Sequence, residues 1–234
     1  MKIIANQLAL RRRARLSHTA SLGGLLILLA SVALSMWKPE LSTLSTVILF
    51  IGGATSMVGI YFANRWVKRP RPEDVLNQAL KGLSDQHRLY HYTRLGEHLL
   101  LTPNGVVVLE TVNLEGRFTY LDGRWRQKLN LGRALRYIVE EKLGNPAAQA
   151  QQQIDNLAPY LQEGLPPGTK IPLQALVVFT HPLAEIKVDK SPLPVVQPEK
   201  LLKKVPHPGV KLPADIYQTL RQRLDALLPE RVTI

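Results

Sequence analysis

Two apolar runs, side by side near the start of the chain, constrain its fold more than any other feature. "ASLGGLLILLASVALSMW" (20–37) and "LSTVILFIGGATSMVGIYF" (44–62) contain no charged residue. As helices rising about 1.5 Å per residue, both are long enough to cross a hydrocarbon core of about 30 Å. Only "KPELST" (38–43) separates them, so the chain must turn back on itself as a helical hairpin. Trp37, Tyr61 and Trp66 stand at the run ends, where interfacial aromatics collect. Gly52 and Ser56, and Thr55 and Gly59, lie four apart, a spacing that lets helices approach closely, within the hairpin or between copies in a homo-oligomer.

Flanking charge sets the expected orientation. Lys2, Arg11, Arg12, Arg13 and Arg15 precede the first run, and Arg65, Lys68, Arg69 and Arg71 follow the second, whereas the connecting loop has only Lys38 and Glu40. The positive-inside rule then places both termini and everything after residue 63 in the cytoplasm of a two-span cell-membrane protein. A cleaved leader is the competing reading of the first run, with "SVA" (31–33) as its cleavage site, but the run is long for that role. A pair of core helices in a soluble protein is the other, and two uninterrupted uncharged neighbours are rare in such cores.

The organisation that follows is a basic N-terminal segment (1–19), the hairpin (20–63), a basic proline-containing linker (64–72), an α/β domain (73–181) and a tail (182–234) ending in an amphipathic helix. "RPRP" (69–72) stiffens the linker. Leu76, Ala79, Leu80 and Leu83 stripe a helix over 73–83. Strands are expected at "RLYHYTR" (88–94), "HLLLTP" (98–103), "VVVLETV" (106–112) and "RFTYLDG" (117–123). Asn104-Gly105 marks a hairpin and Asp122-Gly123 a second turn. Helices follow over 133–143 and 147–161, then a buried strand "LQALVVFT" (173–180). Residues 182–213 hold 7 of the 17 prolines and read as extended, with a short strand or two. Ile216, Leu220, Leu224 and Leu228 stripe the last helix, 214–228. The fold class is therefore α/β: a transmembrane hairpin plus a mixed-sheet domain.

Chemistry is bounded mostly by exclusion. With no cysteine, disulfides, thiolate zinc sites and cysteine nucleophiles are ruled out. GxSxG, HExxH, GxxxxGK[ST] and GxGxxG are absent. Six histidines (18, 87, 91, 98, 181, 207) show no metal-ligand spacing; His87 and His91 are four apart but fall in a strand, where that spacing does not converge. The formal net charge of +12 favours anionic neighbours, either nucleic acid or the anionic face of a bilayer.

The stretch "GEHLLLTPNGVVVLETVNLEGRFTYLDGRW", followed by "GNPAAQAQQQI", resembles the NERD (nuclease-related) domain, whose core is like that of PD-(D/E)xK nucleases. Glu97-His98 stands at the family's Asp-His, Pro103-Asn104-Gly105 at its turn and Glu110 at its retained acid. Gly116, Trp125, Asn145, Pro146 and Gln149 also fall in family positions, and Glu73 resembles the helical Glu ahead of the sheet. The likeness covers 73–180. It implies a site of Glu73, Glu97, Glu110 and Gln149, with Glu97 and Glu110 holding Mg²⁺. Two departures count against activity. The family's metal-binding Asp is Glu97, and its Lys, which orients or activates the attacking water, is Val112, two residues after Glu110.

Hairpin geometry decides whether the acids can meet. With Asn104-Gly105 as a two-residue loop, opposed residue numbers sum to 209. Glu110 then faces Leu99, Glu97 faces Val112, and the two acids are diagonal neighbours about 7–8 Å apart on one face. With Pro103 as a third loop residue the acids point to opposite faces. If Glu110 keeps no metal, a carboxylate in so apolar a run needs a partner such as Arg94 or Arg117.

Three functions remain. The favoured one is a membrane-tethered, catalytically degenerate nuclease-like module that binds or scaffolds. The alternatives are an active Mg-dependent nuclease acting on DNA or RNA at the membrane, and a helper module for other membrane proteins whose basic surface meets anionic lipid.

Overall fold

The structure is a computed structural model, and it describes residues 1–128, 143–205, 210–228 and 232–233. The chain divides into two compact units, one built around the two long helices and one around the sheets.

The helices are α1 (Gln7–Trp37) and α2 (Ser42–Trp66), joined through a single 3-10 turn at Pro39–Leu41. Both are long and apolar enough to cross a membrane. α1 begins well before the uncharged run and takes the 11–15 arginine cluster onto its early turns. Small residues seat α1 against α2. Ser17 Oγ donates to Gly59 O at 3.2 Å, and the Ser31 and Ser45 hydroxyls each donate to the other's carbonyl at 2.9 Å. A Cβ on Gly24 would lie 2.4 Å from Ser56 Oγ, and one on Gly59 2.5 Å from Ser21 N. Gly52, Ser56 and Gly59 are thus occupied within the hairpin itself. The outward sides expose Leu22, Leu26, Leu29, Val32, Phe50 and Met57. Water disfavours that much continuous apolar surface, whereas hydrocarbon accepts it.

In the second unit the elements are β1 (Lys2–Ala5), α3 (Pro72–Ala79), β2 (Arg88–His91), β3 (His98–Thr102), β4 (Gly105–Val112), β5 (Gly116–Leu121) and β6 (Arg124–Lys128). Then come α4 (Pro146–Gln162), β7 (Leu173–Phe179), β8 (Ala184–Val188), β9 (Val195–Val196), α5 (Pro198–Lys204), α6 (Ala214–Ala226) and β10 (Val232–Thr233). The main sheet is mixed, in the order β10-β1-β2-β3-β4-β7-β9, and β6-β5-β8 form a second, smaller sheet. Every residue of β2 and β3 is buried, which explains their near-continuous apolar sequence. α4 and α6 cover one face, with Leu99, Leu101, Val106, Val108, Leu157 and Leu220 in one core. α3 and α5 cover the other, with Leu76, Leu89, Leu100, Val107 and Leu201 in a second. The domain is a three-layer α/β/α sandwich.

Four expectations are revised. Residues 1–19 are not merely a basic tail, since Lys2–Ala5 runs parallel to β2 in the main sheet with Ile4 and Ala5 buried. The helix expected over 73–83 ends at Ala79, although Leu80 and Leu83 still pack into the core. The proline-rich tail contains a helix, α5, with Pro198 at its first position. The hairpin register is also different. Thr102 pairs with Gly105 and Leu99 with Val108, so opposed numbers sum to 207 and the loop is Pro103-Asn104. Thr102 closes this turn, its hydroxyl donating to Gly105 O at 3.0 Å and accepting from Asn104 N at 3.1 Å. Gly105 is in the ladder because β4 also pairs with β7. A Cβ there would lie 2.3 Å from Pro172 O, which Val106 N bonds at 3.0 Å. Most of the helix expected over 133–143 lies outside the described residues.

Candidate functional site

The β3–β4 pairing runs from Thr102↔Gly105 to Leu99↔Val108 and ends short of Glu97, which lies in the bend ahead of β3. Glu110, near the end of β4, is half-buried under α4. Asn145 caps α4 by accepting from Ala148 N at 3.3 Å, and Pro146 occupies its first position. The helix seats Ala150, Leu157 and Leu161 on the sheet. That phase brings Gln153, three residues after Ala150, over β4, where its amide donates to Glu110 Oε2 at 2.5 Å. Gln153 Oε1 packs on Gly96, where a Cβ would come within 3.0 Å of it, so a side chain at 96 would push Gln153 away. Gln149 lies one turn earlier and is exposed. Arg117, one proposed partner for Glu110, instead pairs with Glu185 at 2.6 Å on the surface.

Glu73 occupies the first turn of α3 and is 4% exposed. Tyr92 Oη donates to its Oε2 at 2.5 Å, and Arg71 Nε stands 3.1 Å from its Oε1. Arg71 also bonds Asp74, at 3.1 and 3.3 Å. Tyr92 has φ +60°, which turns the chain sharply after β2. Burial first, then the charge of Glu73 and Glu97, raises the Tyr92 phenol well above its ordinary value. It stays a proton donor to Glu73 at any physiological pH.

The histidines hold a contact that spacing did not reveal. His91 and His98 are cross-strand partners, with Nδ1 atoms 2.8 Å apart. His91 Nε2 stands 2.9 Å from Asn77 Oδ1 on α3. With that oxygen as acceptor, His91 carries its proton on Nε2, and His98 Nδ1–H donates to His91. Both are buried, on the α3 face of the sheet, opposite Glu110. Burial, then the neighbouring His98, holds His91 well below the ordinary imidazole value. The legible signal was the register of the β2–β3 pair rather than the i,i+4 spacing of His87 and His91.

Val112 sits two residues beyond Glu110, on the same face and opposite Phe179. It belongs to an apolar cluster with Leu114, Phe118, Val177 and Phe179. Trp125 extends that cluster, its ring 5.5 Å from Phe179. A Mg²⁺ ion needs several convergent oxygens at about 2.1 Å. The acids do not fit one as arranged. Glu73 is engaged by Tyr92 and Arg71, Glu110 by Gln153, and among the described residues no three His, Cys, Asp or Glu side chains group closely enough to hold an ion.

The small sheet concentrates positive charge. Pairing of β5 with β6 and β8 aligns Arg117, Arg124, Arg126, Lys128 and Lys187 on its exposed face, with Glu185 as the accompanying acid. Arg117 is paired with Glu185, and among the described residues no ion pair engages Arg124, Arg126, Lys128 or Lys187.

Residues 71–180 match the family model of NERD, the nuclease-related domain. No curated protein and no solved structure matches the chain.

Proposed function

For a chain that carries a nuclease-related domain over residues 71–180, we propose a membrane-anchored module that has lost the nuclease reaction and binds polyanions at the cytoplasmic surface. The observation that carries this reading is the apolar cluster around Val112, where the family's Lys would stand. Without that ammonium the attacking water loses its orienting cation, and an aromatic-lined wall offers no substitute. Internal partners for Glu73 and Glu110 support the same reading, since both acids have a structural role without a metal.

The basic face of the small sheet is the surface such a module would use. Nucleic acid is the ligand class that Arg124, Arg126, Lys128 and Lys187 suit, through phosphate contact without base readout. Anchoring is supported by the exposed apolar sides of α1 and α2. The shared ladder of β1 and β2 supports a reading with an even number of crossings. The flanking arginines and lysines support a cytoplasmic domain.

The test is a salt titration of duplex DNA and RNA binding by the full chain in neutral nanodiscs, with a parallel cleavage assay in Mg²⁺. About four phosphate contacts predict a log–log slope of about −3.6 on duplex DNA, falling by about 0.9 for each of Arg124→Gln and Arg126→Gln. Mg-dependent cleavage abolished by Glu110→Ala would establish the active nuclease instead.

A further inference from the structure

A second site lies away from the carboxylates. A cavity of about 380 Å³ opens between the first turns of α6 and the loop ahead of β2, lined chiefly by Gln86, Arg88, Lys211, Tyr217, Gln218 and Arg221. Its walls are fixed to each other. Leu212 N donates to Pro103 O at 2.8 Å, tying the approach to α6 to the β3–β4 turn. Tyr217 Oη donates to Gln86 O at 2.6 Å, tying α6 to the loop. The cavity is therefore built into the fold rather than left between loose segments, and its size suits a small organic ligand.

Charge identifies the ligand class. Arg88 has a side chain only 11% exposed, and one arm, Nη1, reaches Asp225 Oδ1 at 3.4 Å, which balances its charge from inside the domain. The guanidinium also bonds the Tyr217 hydroxyl in the cavity wall, so Arg88 is a fixed, internally balanced part of the lining. Lys211 and Arg221 add two further cations. Arg221 Nη1 donates to Gln218 Oε1 at 3.3 Å, a neutral partner that orients the guanidinium without neutralising it. The acid in the lining, Asp85, has a fully exposed side chain at the rim. Leu212, Pro103 and the Tyr217 ring supply an apolar wall beside these cations. Lys211 and Arg221, with the internally balanced Arg88 beside them and one apolar side, match a compact anion carrying an organic group.

We propose that this cavity binds a phosphate monoester, either as a small soluble metabolite or as the headgroup of a phosphatidate lipid. The experiment uses the full chain in phosphatidylcholine nanodiscs, titrated calorimetrically with glycerol 3-phosphate and with adenosine monophosphate. A parallel arm measures the chain's affinity for nanodiscs and vesicles containing phosphatidate. Glycerol and adenosine are the phosphate-free controls. The variants are Arg221→Gln and Lys211→Gln, both outside the cores, so folding is retained and is checked by the melting transition. The expected result is saturable binding of at least one phosphate monoester, weakened about tenfold by each substitution, with no binding of the controls. Binding confined to the soluble probes assigns a metabolite, and binding confined to phosphatidate assigns the headgroup. The proposal is overturned if no monoester binds at millimolar concentration, if the controls bind equally well, or if the double variant binds as the native chain does.

Discussion

Asp225 provides the sharpest test of how the domain is held together. Its Oδ1 accepts from Tyr90 Oη at 2.9 Å and stands 3.4 Å from Arg88 Nη1. Both side chains of the ion pair are 11% exposed, and they join the last helix to a central strand. At that separation the gross attraction is about 5 kcal/mol for an effective dielectric constant of about 20, and desolvation of the two charges offsets most of it. Breaking the pair is different from lacking it. Asp225→Ala leaves a guanidinium buried without its counter-charge and a tyrosine hydroxyl without its acceptor, which costs about 3–5 kcal/mol. Tyr90→Phe removes a single hydrogen bond and costs about 1 kcal/mol. The triple variant Arg88→Met, Tyr90→Phe, Asp225→Leu replaces the whole network with apolar groups of similar volume and recovers most of the loss. The assay is denaturant unfolding of the full chain in detergent, followed by tryptophan fluorescence. A loss below about 1 kcal/mol for Asp225→Ala, or a triple variant as unstable as that single one, would refute the reasoning.

Two further outcomes follow from local geometry. Gly105→Ala should lower stability by about 2–3 kcal/mol, because a Cβ would meet Pro172 O at 2.3 Å in a backbone conformation with φ +153°; an unchanged midpoint in denaturant would contradict the β3–β4 turn described above. His91, held neutral by burial, binds fewer protons folded than unfolded, so stability should fall as pH drops below about 6.5, by up to about 1.4 kcal/mol per pH unit, and His91→Gln should flatten that slope.

Much of this architecture is legible from residues alone, for physical reasons. Uncharged runs of membrane length, and the leucine spacings of α3 and α6, leave one arrangement each that buries the apolar stripe. Asp122-Gly123 likewise dictates its turn, with φ of +51° and +77°. The β3–β4 register was harder. Asn104-Gly105 is a strong local turn signal, but the parallel pairing of β4 with β7 draws Gly105 into the ladder and moves the loop back by one residue. No local rule contains that tertiary term. β1 and α5 were hidden for a related reason: four and seven residues are too few for a period to emerge, and each is held by a sheet assembled from distant segments. At the candidate site, side-chain alternation sets Glu110 on the face of β4 that carries Val106 and Val108. Its partner Gln153 was not legible, because the phase of α4 is set by Ala150, Leu157 and Leu161 packing on strands far away in sequence.

Metal binding tests the central claim most directly. Mg²⁺ and Mn²⁺ are titrated calorimetrically into the full chain in neutral nanodiscs, with Glu110→Ala as control. The account predicts no saturable heat at millimolar metal and identical traces for the two proteins, since Glu110 is engaged by Gln153 and Glu73 by Tyr92 and Arg71. Saturable binding that disappears in Glu110→Ala would contradict it and restore a working two-carboxylate metal site.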